Sequence, residues 1–245
     1  MRLSIILSFF FIIILNSKAQ ELSGSEIIEK SIEFHDPDNI WSSGHFMSDL
    51  KESRPNGPSH NSLVEINNLN GFFYVIRYQD GHALEYTIKD GECIESLDWN
   101  YVLSEAEIEE YNLTCERSNL LRDCYTYLWG MPMKLKDPGT IISNDVDLVQ
   151  FNEEQVLSVQ VTYREDVGSD TWYFYFHPEN YSLVGYRFYH VEEENDGEYI
   201  ILTDLLAVGS MKIPKSRKWF INIDDKFLGE DILENIRTFN PEYHQ

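Results

Sequence analysis

Between residues 41 and 95 the chain is a succession of short runs, and the breaks between them carry Asn-Gly at 70–71 and Asp-Gly at 80–81. Such a dipeptide accepts positive φ at both central residues, which matches the twist of two paired strands. Flanked by apolar runs, it is the strongest short-range sign of a β-hairpin. The runs GHFMSDLKE, NSLVEINNL, GFFYVIRYQ, HALEYTIKD and GECIESLD therefore predict an antiparallel meander. A second series follows, VLSVQVTYR, TWYFYF, LVGYRFYHV, EYIILTDLLAVG and KWFINI, with a further turn at NDGE (195–198).

Helical signals lie between and around these series. Ile27, Ile28, Ile32 and Phe34 form an apolar stripe after a capping residue at Ser25, and the helix has to stop at HDPDN, where Pro37 forces Asp36 to be extended. Ser104 and Glu107 stand at capping-box spacing. Leu120, Leu121, Cys124, Tyr125 and Leu128 share one face of a helix that Gly130 and Pro132 end. The segment DDKFLGEDILENI at 224–236 reads as a short helix. The expected class is α+β, a curved antiparallel sheet with helices on one side.

From Asp170 to His190, nine of twenty-one residues are aromatic. Alternation puts Trp172, Phe174 and Phe176 on one face of a strand and Tyr173 and Tyr175 on the other. In the next strand it groups Arg187 with Leu183, Tyr189 and Val191. A sheet that is apolar on both faces has to be covered on both, or has to line a cavity or a partner surface.

The first nineteen residues have the form of a secretory signal: Arg2, an apolar run from Leu3 to Leu15, and small residues at Ser17 and Ala19. The run of about 13 residues is shorter than the ~20 that a spanning helix requires. Cleavage is expected after Ala19, with residues 20–245 as a single domain in the periplasm or outside the cell. The net charge of −23 argues against nucleic acid and anionic membrane faces as partners. In an exporting context the three cysteines allow one bridge. Cys93 to Cys115 is the favoured pair, worth about 3 kcal/mol on the chain-entropy view, and Cys124 is read as a small buried hydrophobe.

Motifs for chemistry are sparse. The seven histidines show no zinc spacing, and no nucleophile elbow, Walker loop or dinucleotide fingerprint occurs, so no cofactor is implied. Glu192, Glu194, Asp196, Gly197 and Glu198 imitate an EF-hand loop, but Thr203 stands where a bidentate Glu belongs, and an acidic hairpin is the simpler reading. His35 beside Asp36 and Asp38 suggests either an acid–base pair or a helix end followed by a turn. Arg77 and Arg187, inside apolar strands, either point outward or hold a polar group.

The strings FHDPDNIW, CERSNLLRDCYTYLWGMPMKLKDPGT, GSDTWYFYFHPENYSLVGYRFYH and NDGEYIIL resemble a family of exported Bacteroidetes-type bacterial proteins of unknown function, over roughly residues 23–235. That family is similar in architecture to the LolA/LolB lipoprotein-carrier fold, which implies a half-barrel with helices on its concave side. Many members carry a lipobox Cys, which this chain lacks, and many have an aromatic residue where Cys124 stands, which suits the Cys93–Cys115 pairing. The resemblance implies no catalytic residue.

The expected function is non-enzymatic binding of an apolar or amphipathic ligand, such as a lipid or lipoprotein acyl chain. Trp172, Phe174 and Phe176 are expected to form the wall, Tyr127, Trp129, Met131 and Met133 the lid, and Arg77 or Arg187 the head-group contact. The alternatives are an envelope interaction protein that meets a protein partner through exposed tyrosines, and a hydrolase using His35 with Asp36 or Asp38.

Overall fold

The structure is a computed structural model that describes residues 22–57 and 59–239. The signal segment expected at 1–19 lies outside the described residues. Twelve strands form one antiparallel sheet: β1 (His45–Ser53), β2 (His60–Asn67), β3 (Phe72–Gln79), β4 (His82–Lys89), β5 (Glu92–Leu97), β6 (Thr140–Phe151), β7 (Glu154–Tyr163), β8 (Thr171–Phe176), β9 (Leu183–Tyr189), β10 (Glu198–Val208), β11 (Met211–Ile221) and β12 (Phe227–Thr238). Their spatial order is 5-4-3-2-1-12-11-10-9-8-7-6. Two meanders are thus joined by a single non-sequential pairing, β1 with β12, and the sheet curves without closing.

The hairpins form where the dipeptides predicted them. Asp80 and Gly81 both have positive φ, 53° and 87°, as a two-residue link requires, and Asp90-Gly91 forms a further turn of this kind between β4 and β5, whereas at Asn70-Gly71 only Gly71 is positive, because four residues join β2 to β3. Among the described residues three α-helices accompany the sheet: α1 (Gly24–His35), α2 (Glu105–Tyr111) and α3 (Cys115–Trp129). The cap of α1 is Ser23 rather than Ser25, because Glu26 closes a capping box with it. The predicted Ser104–Glu107 box starts α2. Strands β5 and β6 are the two edges of the sheet, and α2 and α3 connect them. A chain leaving one edge and returning to the other has to cross the concave face, which places α3 over it. The Cys93–Cys115 disulfide ties the first residue of α3 to β5.

One expected element is corrected, and one strand was not expected from the sequence. Residues 227–238 form the strand β12, not a helix. Its apolar residues fall at helical spacing because the inward positions include Gly229 and Asp231. Strand β6 carries no clean alternation and escapes a pattern reading, because it is an edge strand with much of its length exposed.

The main core lies between the concave face and the helices. Phe46, Phe73, Phe174, Phe176, Tyr186, Leu233, Ile27, Ile28 and Trp129 all belong to it. A second, smaller cluster sits on the convex face, where Phe151 stacks on Tyr175 with Tyr173 and Tyr199 beside them. The doubly aromatic strand β8 therefore serves both cores. The register shifts between Tyr175 and Phe176, so Leu183 faces the concave core while Arg187 faces outward, against the simple alternation that grouped them.

Candidate functional site

Inward positions of the central strands change from apolar to charged as they approach α3. On β1 the buried series Phe46, Ser48, Leu50 ends in Glu52. On β3 the inward series Phe73, Val75 ends in Arg77, and on β12 Asp231 precedes Leu233. These side chains and one flank of α3 enclose an open cleft of about 640 Å³. Its apolar part is Leu120, Leu121 and Leu128 from α3 with Trp219 and Leu228 from the sheet, and its polar part is Glu52, Arg54, His60, Arg77, Arg117, Glu198 and Asp231.

The polar groups are organised in pairs. Arg77 Nη2 donates to Glu52 Oε2 at 2.8 Å and to Tyr125 Oη at 2.7 Å. Arg54 Nη1 donates to Asp231 Oδ1 at 2.8 Å, and the Trp219 indole N–H donates to the other oxygen at 2.7 Å. Beneath the cleft lies Arg217, 2% exposed. It donates to the carbonyls of Pro214 and Leu128, each at 3.0 Å, which links β11 to the end of α3. Burial opposes the charge of Arg77, but Tyr125 and Glu52 more than offset it and raise its pKa, whereas burial lowers that of Arg217. Burial also raises the pKa of Glu198 and lowers that of His60.

Cys124 faces this cleft and is solvent-accessible, not the buried hydrophobe expected. Enclosure by the cleft walls, with Asp231 and Glu52 nearby, pushes its thiol up to about 11, so it stays protonated and a poor nucleophile at neutral pH.

The other flank of α3 has a depression of about 250 Å³ lined by Tyr127, Tyr163, Val167, Gly168, Asp170 and Trp172. Tyr127 meets Trp172 edge to face at 5.6 Å and shares a hydrogen bond with Tyr163. The structure thus brings together Trp172 and Tyr127 of the expected ligand-binding residues. Phe174 and Phe176 are fully enclosed in the core. Trp129, Met131 and Met133 are core residues as well, not parts of an opening, because the chain after α3 turns inward beneath the sheet. Arg77 is in the cleft, whereas Arg187 is on the convex face, 5.0 Å over the Tyr199 ring. The two arginines therefore cannot serve one site.

His35 is buried, and both its ring nitrogens meet backbone: Nδ1–H donates to the Lys212 carbonyl at 2.7 Å, and Nε2 accepts from the Leu183 N–H at 2.9 Å. Asp36 accepts from the N–H groups of Ile40 and Trp41, and Asp38 from the Ser210 hydroxyl. Burial pushes the pKa of His35 down to about 4. This trio joins α1 to β9 and β11 and has no proton-transfer geometry. The acidic segment 192–198 is a turn in which Asp196 accepts from the His190 and Val191 N–H groups. Among the described residues no group of three or more His, Cys, Asp or Glu is placed to hold a metal ion, and no helix is long and apolar enough to cross a membrane.

Arg54, His60, Arg117, Trp219, Leu228 and Asp231 were not singled out from the sequence, and Glu198 was weighed only as part of an EF-hand-like string. The available signal was charge at inward strand positions, as at Glu52 and Arg77, which marks a buried polar site rather than a core.

Solved structures share this architecture at identities that speak to fold alone. A LolA superfamily protein from Nitrosomonas europaea superposes with a TM-score of 0.51 at 10% identity, covering 91% of this chain and 97% of that one. A DUF1329 family protein from Desulfovibrio piger superposes with a TM-score of 0.51 at 7% identity, covering 92% and 98%. No curated protein matches the sequence. The sequence model that does match, over residues 4–235, is that of DUF6503, and the chain belongs to this family of unknown function.

Proposed function

We propose that the protein is an exported binding protein that holds an amphipathic ligand, such as a lipid or the acyl chain of a lipoprotein, without transforming it. The observation that carries this reading is the cleft beside α3. About 640 Å³ of open space joins Leu120, Leu128, Trp219 and Leu228 to a cluster of arginines, a size and a mixture suited to a molecule with one apolar and one polar end. The likeness to a LolA superfamily structure supports a carrier-type architecture. The signal-like N-terminus and the Cys93–Cys115 bridge support an oxidising compartment. In this reading Arg77 contacts the head group, and a long chain extends toward Trp172, Phe174 and Phe176 as α3 shifts.

The test is native mass spectrometry of the protein isolated from its own cell envelope without detergent, followed by solvent extraction. A stoichiometric lipid or acyl ligand is expected, and it is lost in Leu120→Asp, a change at a cleft residue that is 56% exposed and so free to vary without unfolding the helix. A clean apo mass from the wild-type protein overturns the reading. It would favour an interaction role for the convex face, where Phe227 is exposed beside Phe220, which stacks on Tyr199 of the second aromatic cluster.

A further inference from the structure

The charges around the cleft do not balance pair by pair. Of the three acids lining it, Glu52 faces Arg77 and Asp231 faces Arg54, which leaves Glu198. Two cations remain without an ion pair among the described residues: Arg117, half-buried on α3 at the cleft wall, and Arg217, buried beneath it. The Nε groups of Arg77 and Arg217 have no hydrogen-bond partner among the described residues either. The Arg217 guanidinium donates to two carbonyls and makes no ion pair among the described residues, and the charge of Asp231 and the Tyr186 hydroxyl offset its desolvation only in part. The chain carries 42 acidic and 19 basic residues, yet four of its arginines converge on this one place.

We propose that the polar end of the ligand is an oxyanion, a phosphate or carboxylate, bound at Arg117 and Arg77 and drawn in by the charge of Arg217. Guanidinium forks match such oxygens in geometry and keep their charge at any physiological pH. Arg77 is already oriented by Glu52 and Tyr125, so it reaches the anion at little further ordering cost. Arg217 touches no ligand and acts through the low-dielectric wall of Leu128. This inference deepens the amphipathic-ligand reading above and rests on it.

Titration calorimetry of the mature protein with decyl phosphate, decanol and inorganic phosphate tests it. Decyl phosphate is expected to bind at least about tenfold tighter than decanol, the difference one charge-assisted hydrogen bond makes. Arg117→Gln is expected to remove about that factor for decyl phosphate and leave decanol unchanged. Arg117 makes no ion pair among the described residues, so this variant keeps its structure, and Arg117→Glu provides a charge reversal with the same expected direction. Equal binding of decanol and decyl phosphate, or an unchanged decyl phosphate affinity in both Arg117 variants, overturns the oxyanion site while leaving the amphipathic reading in place. Inorganic phosphate binding as tightly as decyl phosphate keeps the oxyanion site and overturns the amphipathic reading. No binding of any of the three overturns both.

Discussion

His35 shows how one side chain can look catalytic in sequence and prove architectural in space. Its neutral ring is clamped between a carbonyl of β11 and an amide of β9, so protonation breaks a buried hydrogen bond. Its folded pKa of about 4 lies below the ordinary 6.5. The unfolded chain therefore binds the proton first as pH falls. The stability that His35 contributes is complete above about pH 6.5 and is lost progressively down to about pH 4, on the order of 3 kcal/mol in all. Urea unfolding between pH 7 and pH 4 should show this decline, and His35→Gln should be less stable at pH 7 with a shallower decline. Glu52 offers a second residue-scale prediction. Glu52→Gln leaves the Arg77 guanidinium buried without its counter-charge and should cost about 3–5 kcal/mol. Replacing both residues by methionine should cost much less, because the desolvation penalty disappears with the pair. Double-mutant unfolding measurements check the difference.

At the scale of elements, α3 is held by unlike devices at its two ends. Its first residue is bonded covalently to β5, and the carbonyl of Leu128 near its other end accepts from Arg217. Replacing Cys93 and Cys115 together by serine should lower stability by about 3 kcal/mol, read as a reduced denaturation midpoint. If the helix has to shift to admit a chain, the same variant should also bind decyl phosphate with altered kinetics. The capping box of α2 and the hairpin at 80–81 were legible in the sequence because each depends on residues within four positions of one another, whereas the cap of α1 was misplaced by two residues. The strand β12 was not, because two of its inward positions are Gly229 and Asp231. The first gives no hydrophobic signal, and the second is polar because it belongs to the cleft. A cleft position thus hid the element that carries it.

For the whole molecule, the decisive contact is β1 with β12, separated by most of the chain and alone in joining the two meanders. A chain ending at residue 225 would lack β12 and leave β1 and β11 as new edges. It should lose cooperative unfolding, with a broad calorimetric transition or none in place of one sharp peak. The same closure builds the cleft, since Glu52 of β1, Trp219 of β11 and Asp231 of β12 come together only when that pairing forms.

By itself the sequence determined what short-range chemistry can determine: alternating runs, hairpin links, helix caps and the two-faced aromatic strand, all governed by neighbouring residues and side-chain parity. It also pointed to Arg77 as a charge out of place in an apolar strand. Only the tertiary structure decided which face each charge occupies and which charges meet. The bulge in β9 turned Arg187 outward, and the strap of α3 across the concavity moved Trp129, Met131 and Met133 into the core. It also set Arg77, Arg117 and Arg217 around one cleft. Those outcomes depend on pairings between residues far apart in the chain, whose registers no local pattern specifies.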